Sequence, residues 1–314
     1  MKKKLVAGAV TLLSVVTLAA CANGTNKDIV TMKGDTITVS DFYDEIKSNQ
    51  GAQQVLFQMT INKVFEKEYG SKISDKEVDK ELAKQKKQLG NQFDAYLAQQ
   101  GLTEETAKKQ IRSNMLLEYA VSQAAKKDIK ESDYKTAFES YTPEVTAQII
   151  KLDSEDKAKE VLEAAKAEGA DFAKIAKDNS TDTATKDKGG EVKFDSGTAD
   201  IPSQVKEAAF KLDENSISDV ITVSAGQNYS ASYYIVKLNK KTEKGSDWKK
   251  YEKRLKEIII EGRKQDTNYI RSIIAKAMTN ANIKVKDDAF KSTFNQYLQN
   301  IGVETSDSSS SSKK

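Results

Sequence analysis

Apolar positions change their period several times along this chain, and each change marks an element. Ile29–Met32 and Thr36–Val39 alternate apolar with polar residues around Lys33-Gly-Asp35, which predicts a small hairpin. Ser40 then offers an N-cap to a helix over Asp41–Ser48. From about Ala52 to Tyr69 the stripe Phe57, Ile61, Val64, Phe65 has helical spacing, with Gly70 as its expected stop. Ser74-Asp-Lys-Glu77 reads as a capping box opening a third helix through Val78, Leu82 and Leu89. A short helix is marked by Phe93, Tyr96 and Leu97, and a longer one opens at Thr103 and runs through Ile111, Met115 and Leu116. Tyr134, Phe138 and Tyr141 stripe one more before Thr142-Pro143.

Beyond Pro143 the reading becomes mixed. Glu144–Leu152 predicts a strand, Ser154–Glu168 and Asp171–Asn179 two helices, and Ser180–Gly190 a loop. Glu191–Asp195, a helix over Ile201–Phe210, and the strands Ile221–Ser224 and Tyr233–Leu238 complete the unit. After the polar linker Thr242–Ser246, helical spacing resumes at Trp248, Tyr251, Leu255, Ile258 and Ile259. It continues through Ile270, Ile273, Ile274 and Ala277, and again through Phe290, Phe294, Tyr297 and Leu298. Amphipathic helices of modest apolar content cannot close a large core alone. The two flanks are therefore expected to fold together as one helical domain, residues 28–142 plus 246–302, with the mixed unit 143–241 inserted. Insertion is tolerated where a compact unit's termini lie close. The alternative, three sequential domains, leaves the C-terminal helices without an obvious core. The fold class is α+β: a split all-helical domain carrying a small antiparallel sheet wrapped by helices.

The first twenty residues change the picture of where this fold works. Met1-Lys-Lys-Lys4 followed by the apolar run Leu5–Leu18 has the basic and hydrophobic regions of a secretory signal peptide, residues 1–20. The run ends Leu18-Ala-Ala-Cys21, and Cys21 is the chain's only cysteine. Cleavage after Ala20 would leave Cys21 at the N-terminus, ahead of a polar spacer over 21–27. The tail 305–314, rich in serine and lysine without apolar residues, is expected to be disordered.

Charge excludes one class of partner. The chain has 50 basic and 47 acidic residues; without Lys2, Lys3 and Lys4 of the leader, 47 bases face 47 acids. A balanced chain is a poor match for a nucleic-acid binder. The balance is uneven along the chain: Glu144–Lys241 holds 14 lysines against 18 acids, whereas Thr242 onward holds 15 bases against 10 acids. There is no histidine anywhere, so neither a serine triad nor a Cys/His zinc cluster is available. No Gly-rich phosphate loop occurs. No metal and no cofactor is expected.

Gly169-Ala-Asp-Phe-Ala-Lys-Ile-Ala176, Ser180-Thr-Asp182, Gly189-Gly190 and Ala208-Ala-Phe-Lys-Leu212, in that element order, resemble the parvulin family of peptidyl-prolyl isomerases. Leu18-Ala-Ala-Cys21 resembles the lipobox of bacterial lipoproteins. With Lys33-Gly-Asp-Thr-Ile-Thr-Val39 and Ser40-Asp-Phe42, the whole layout resembles the PrsA-type extracytoplasmic foldase lipoproteins, over nearly all of the mature chain. The resemblance implies a diacylglyceryl anchor on Cys21 and a place on the outer face of a bacterial, Gram-positive, cytoplasmic membrane. It also implies peptidyl-prolyl cis-trans isomerase activity, unfolded or nascent secreted proteins as partners, and pairing of two copies through the helical domain as an open alternative. In the parvulin pattern two strand histidines face each other. Their places correspond here to Gln148 in Thr146-Ala-Gln-Ile-Ile150 and to Tyr234 in Tyr233-Tyr-Ile-Val236. The acid of the site corresponds to Asp182, and the apolar wall that grips the proline ring to Ile201 and Val205.

Catalysis of proline isomerisation needs no nucleophile or metal. Rotation meets a barrier of about 18–20 kcal/mol, and a dry pocket that favours the twisted amide lowers it. Gln and Tyr both donate and accept hydrogen bonds, which is what a polar network beneath Asp182 requires in place of imidazoles. The other reading of Asp182 is a loop-capping carboxylate, and of Tyr234 a buried structural residue. Three functions follow. The first is an anchored foldase or chaperone whose helices hold unfolded segments while the parvulin-like unit binds peptide weakly. The second is an active isomerase rebuilt around Asp182, Gln148 and Tyr234. The third is a surface adhesin or solute-binding lipoprotein.

Overall fold

The computed structural model describes residues 27–225 and 230–298. Cys21, the leader and the tail 305–314 lie outside the described residues. Among the described residues no helix is long and apolar enough to cross a membrane. The chain divides into two compact units, one reaching to Asp75 and resuming at Ile274, the other spanning Lys76–Ile273.

In the first unit, strands β1 (Asp28–Met32) and β2 (Asp35–Thr38) pair antiparallel across Gly34, whose φ of +87° suits glycine at the turn. Helix α1 covers Val39–Ile46, two residues earlier than the pattern suggests, because the cap is Thr38 and not Ser40. Thr38 Oγ1 accepts from the Asp41 N–H while the Asp41 carboxylate accepts from the Thr38 N–H at 2.8 Å. An acid three residues after a threonine makes a reciprocal box that Ser40 cannot form. Helix α2 (Gln50–Tyr69) is capped by Asn49 and buries Phe57, Ile61, Val64 and Phe65, as the stripe predicts. Gly70 does not stop it by turning left-handed; its φ is −54° and the chain tightens into a 3-10 turn over Gly70–Lys72. The returning arm contributes helix α12 (Lys291–Leu298), the last among the described residues. Phe294 meets Phe57 edge-on at 5.3 Å, and Gln53 donates to the Ala289 carbonyl at 2.9 Å.

The second unit begins along α3 (Asp75–Leu89), followed by α4 (Phe93–Gln99), α5 (Glu104–Asp128) and α6 (Glu131–Ser140). Thr103 caps α5, its hydroxyl accepting from the Thr106 N–H. Ion pairs Lys86–Glu104 and Lys108–Asp79 tie α3 to α5. Helix α10 (Glu252–Gln265) lies against α5 and α6 and buries Leu255 completely. Arg263 donates to the Ala125 carbonyl at 3.0 Å and to Asp133 at 2.7 Å. Helix α11 (Thr267–Asn280) follows. The N- and C-terminal arms thus meet in both units. Helices α3–α6 and α10 share a compact unit with the inserted segment, a grouping the apolar stripes do not reveal.

The inserted segment is a four-stranded antiparallel sheet in the order β4-β3-β6-β5. Its strands are β3 (Val145–Leu152), β4 (Glu191–Phe194), β5 (Ile221–Ala225) and β6 (Ser230–Lys241). Helices α7 (Glu155–Lys166) and α8 (Phe172–Asn179) cover one face, and α9 (Ser203–Lys211) the other. Strand β6 is twice the length that Tyr233–Leu238 suggests, since its polar ends still pair with β3 and β5. Helix α9 starts at Ser203, not Ile201, because Pro202 occupies the cap.

One junction fixes this segment against α10. Asp195, just past β4, receives Arg254 Nε at 2.6 Å on one carboxylate oxygen and Arg254 Nη2 at 2.8 Å on the other. Tyr141, Thr198 and the Gly197 N–H also donate to that carboxylate. Around it, Tyr134 stacks on Trp248 at 5.1 Å, and Phe138 on Tyr251 at 5.7 Å. The aromatic stripe of α6 is thus covered by the 3-10 turn Trp248–Tyr251 that follows the linker.

Candidate functional site

Strand β3 is buried on both faces, so alternation decides which residue looks where. Val145, Ala147 and Ile149 join the cluster under α9, whereas Ile150 and Leu152 join the one under α7 and α8. Gln148 lies between Ala147 and Ile149 and therefore faces α7 and α8. It is 8% exposed, and its Nε2 donates to the Gly189 carbonyl at 2.9 Å.

That carbonyl belongs to a glycine pair pressed against the strand. Gly189 and Gly190 have φ of +68° and +80°. A side chain on Gly189 would lie 2.8 Å from Ala173 Cβ of α8, and one on Gly190 would collide with the Ile149 backbone. The Ile149 N–H donates to the Gly190 carbonyl at 2.9 Å. Here the glycines are required by close approach as well as by conformation.

Tyr234 lies on the other face. It stands opposite Lys151 and Ile221 on neighbouring strands and shares a cluster with Ile201 and Val205. Burial pushes its phenol above the ordinary value, and the carboxylates of Asp182 and Asp153 push it further. It is a neutral hydroxyl at neutral pH, and it makes no hydrogen bond among the described residues. Asp182 opens the loop after α8. Its carboxylate accepts from the Thr185 hydroxyl at 2.6 Å and the Ala184 N–H at 3.2 Å. Ser180, buried beside it, accepts from the Lys151 and Asp182 N–H groups. These contacts are those of a loop cap.

The structure therefore brings Tyr234, Ile201 and Val205 together on one face, with Asp182 near enough to act on the Tyr234 phenol. It does not bring Gln148 to them. The β3 side chains on their face beside Gln148 are Ala147 and Ile149, which offer no hydrogen bond. The apolar wall is also closed: Val205 is 0% and Ile201 8% exposed. What remains near the wall is one phenol and a carboxylate held by its own loop. Such a face can place a hydroxyl near a bound amide, but it supplies no facing polar pair. Among the described residues no group of His, Cys, Asp or Glu is arranged to hold a metal ion. Sequence reasoning missed both Ile149 and the Asp195–Arg254 junction; the run Gln148-Ile149-Ile150 carried no alternation that would have shown the first.

Comparison with known proteins agrees with this architecture. A family model described as PPIC-type PPIASE domain matches residues 141–240. The foldase protein PrsA of Streptococcus sanguinis is 62% identical over 302 residues, 96% of this chain and 90% of that protein. The foldase protein PrsA of Streptococcus gordonii is 60% identical across 100% of both chains. Among solved structures, the foldase protein PrsA of Streptococcus pneumoniae superimposes with a TM-score of 0.81 at 54% identity, covering 86% of this chain and 99% of that one. The PrsA of Lactococcus lactis gives 0.64 at 39% identity over the same 86% of this chain and 99% of its own. This chain belongs to the PrsA foldase family and carries a parvulin-type domain between its helical arms.

Proposed function

We propose that this chain is a lipid-tethered foldase, anchored through Cys21 on the outer face of the cytoplasmic membrane, that assists secreted proteins as they fold. In this reading the helical domain, residues 28–142 plus 246–302, holds unfolded segments. The parvulin-like unit, 143–241, contributes shape and weak peptide contact, with little proline isomerisation. Its peptide-facing residues would be Tyr234, Asp182 and Ile201, with Val205 packed behind them.

The observation that supports this division of labour is the face on which Gln148 lies. A rotamase site needs polar groups arranged for the twisted amide in a dry pocket. Here the polar strand residue serves Gly189 on the opposite side of the sheet, and the wall is filled by its own core. The experiment pairs two assays on the lipid-free mature chain. Suppression of aggregation of an unfolded secreted protein is expected. A protease-coupled proline-peptide assay is expected to give a rate near background. A rate well above background that falls in Asp182→Ala would instead establish the rebuilt isomerase. Sedimentation velocity on the same sample reads whether two copies pair.

A further inference from the structure

One groove in the first compact unit has no part in the parvulin-like site. It encloses about 740 Å³ between α1, α2 and the segment that precedes α12. Its lining is largely apolar, with Tyr43, Val55, Met59, Ile283, Val285 and Phe290 among its residues. Val55 is 60% and Met59 50% exposed, on a helix whose opposite side is core. A second hollow of about 520 Å³ shares Thr60 and Ile283 with the first and continues along α2. The two make one elongated trough.

Its lining carries four lysines against two acids. Lys284 and Lys286 line the first hollow, Lys63 and Lys67 the second, and the last two are a turn apart on α2. All four are exposed and have no carboxylate partner among the described residues. The acids present are Asp287 and Glu68. Asp287 is already engaged, accepting from the Tyr43 hydroxyl at 2.6 Å and the Ala289 N–H at 2.9 Å.

We infer that this trough holds extended segments of unfolded polypeptide in which apolar side chains are flanked by aspartate or glutamate. The inference rests on the foldase reading above and names the class of segment that reading leaves open. An extended chain presents alternate side chains to one surface. Apolar residues would enter the trough, where methionine and aromatic walls adapt to varied shapes. Flanking acids would meet the rim lysines, and a lysine-rich segment would be repelled. Exposed pairs of this kind are screened over about 8 Å at physiological salt, so the selectivity is salt-dependent.

The test uses the lipid-free mature chain and two fluorescent unfolded peptides that share an apolar centre, one flanked by glutamates and one by lysines. The glutamate-flanked peptide is expected to bind about tenfold tighter at low salt, the sum of a few exposed ion pairs. That preference should shrink as salt rises. The double variant Val55→Asp, Met59→Asp is expected to lose both peptides, and Lys284→Glu with Lys286→Glu to reverse the preference. All four side chains are exposed, and circular dichroism checks that the variants fold. Equal affinity for the two peptides, or unchanged affinity in the Val55/Met59 variant, overturns the inference. So does phosphatidylglycerol-vesicle binding that needs Lys284 and Lys286 when peptide binding does not. So would a dimer that the Val55/Met59 variant disrupts with peptide affinity intact. If that variant suppresses aggregation as well as the parent, the trough is refuted and the foldase reading stands. If the parent suppresses no aggregation, the foldase reading itself fails.

Discussion

Removing the guanidinium of Arg254 is expected to loosen the parvulin-like segment from α10. The Asp195 side chain is only 7% exposed and Arg254 36%. Deleting one partner of a fully buried ion pair destabilises by about 3–5 kcal/mol, because the other charge stays behind unpaired. Two features reduce that here. Arg254 is partly solvated, so water screens the pair. Three further donors, from Tyr141, Gly197 and Thr198, still satisfy Asp195. About 2–3 kcal/mol is expected for Arg254→Met. In a unit of this size that lowers the melting temperature by about 4–12 °C.

Trp248 makes the assay local. It is the chain's only tryptophan and stacks on Tyr134 at the same junction, so its fluorescence follows this region through urea unfolding. A double-mutant cycle with Asp195→Asn and Arg254→Met isolates the pair. A coupling energy of about 2 kcal/mol is expected, and Arg254→Lys should recover only part of it, since lysine cannot form the two-pronged contact. If Arg254→Met unfolds within about 0.5 kcal/mol of the parent and the coupling is near zero, the aromatic stacking holds the junction alone and the reasoning is wrong.

The same cycle repeated against pH tests the sign of the electrostatics. Burial opposes the charged form of Asp195, but hydrogen bonds from Arg254 and Thr198 outweigh it and hold its folded pKa below the ordinary carboxylate range. A depressed carboxylate contributes stability above its unfolded value and loses it as pH falls; the coupling should be full above about pH 5 and vanish well below pH 4. Gly190→Ala forces a side chain into the Ile149 backbone at φ +80° and should cost about 2–4 kcal/mol by thermal unfolding. Gln148→Leu leaves the buried Gly189 carbonyl without its donor and should cost about 1–3 kcal/mol, with no change in the isomerase assay beyond loss of folded protein. Tyr234→Phe removes a hydroxyl with no partner among the described residues and should leave stability within about 0.5 kcal/mol.

Most of the architecture was legible because it rests on local rules. Thr103, Ser154 and Asp171 each cap a helix close to where the pattern opens it, and the stripe Phe57, Ile61, Val64, Phe65 of α2 is buried, as are Ile111 and Leu116 of α5. Failures came where a local rule had a competitor nearby. Ser40 lost its cap to Thr38 because only Thr38 has an acid three residues on. Gly70 lost its left-handed stop to a 3-10 turn. The face taken by Gln148 was not legible, since a strand apolar on both sides leaves its phase to its pairing with β4 and β6, both distant in sequence. Asp195 and Arg254 could not be paired from sequence either, because nothing within a turn of either residue announces a partner 59 positions distant.

The closed wall explains how a parvulin outline can persist without imidazoles. Val205 and Ala209 of α9, with Ile201 ahead of it, meet Val145, Ala147, Ile149, Val236 and Leu238 in one cluster. The side chains that the family pattern assigns to gripping a proline ring are thus the ones that hold α9 on the sheet. Burying an aliphatic side chain of this kind contributes about 1.5–3 kcal/mol, an effect indifferent to what occupies the histidine places. Sequence drift at those places can remove polar groups from the site while leaving packing intact. The reverse change, enlarging Val205 to restore an aromatic wall, must displace a fully buried residue and would be resisted by the core. The outline is kept by packing, and catalysis is not required to keep it.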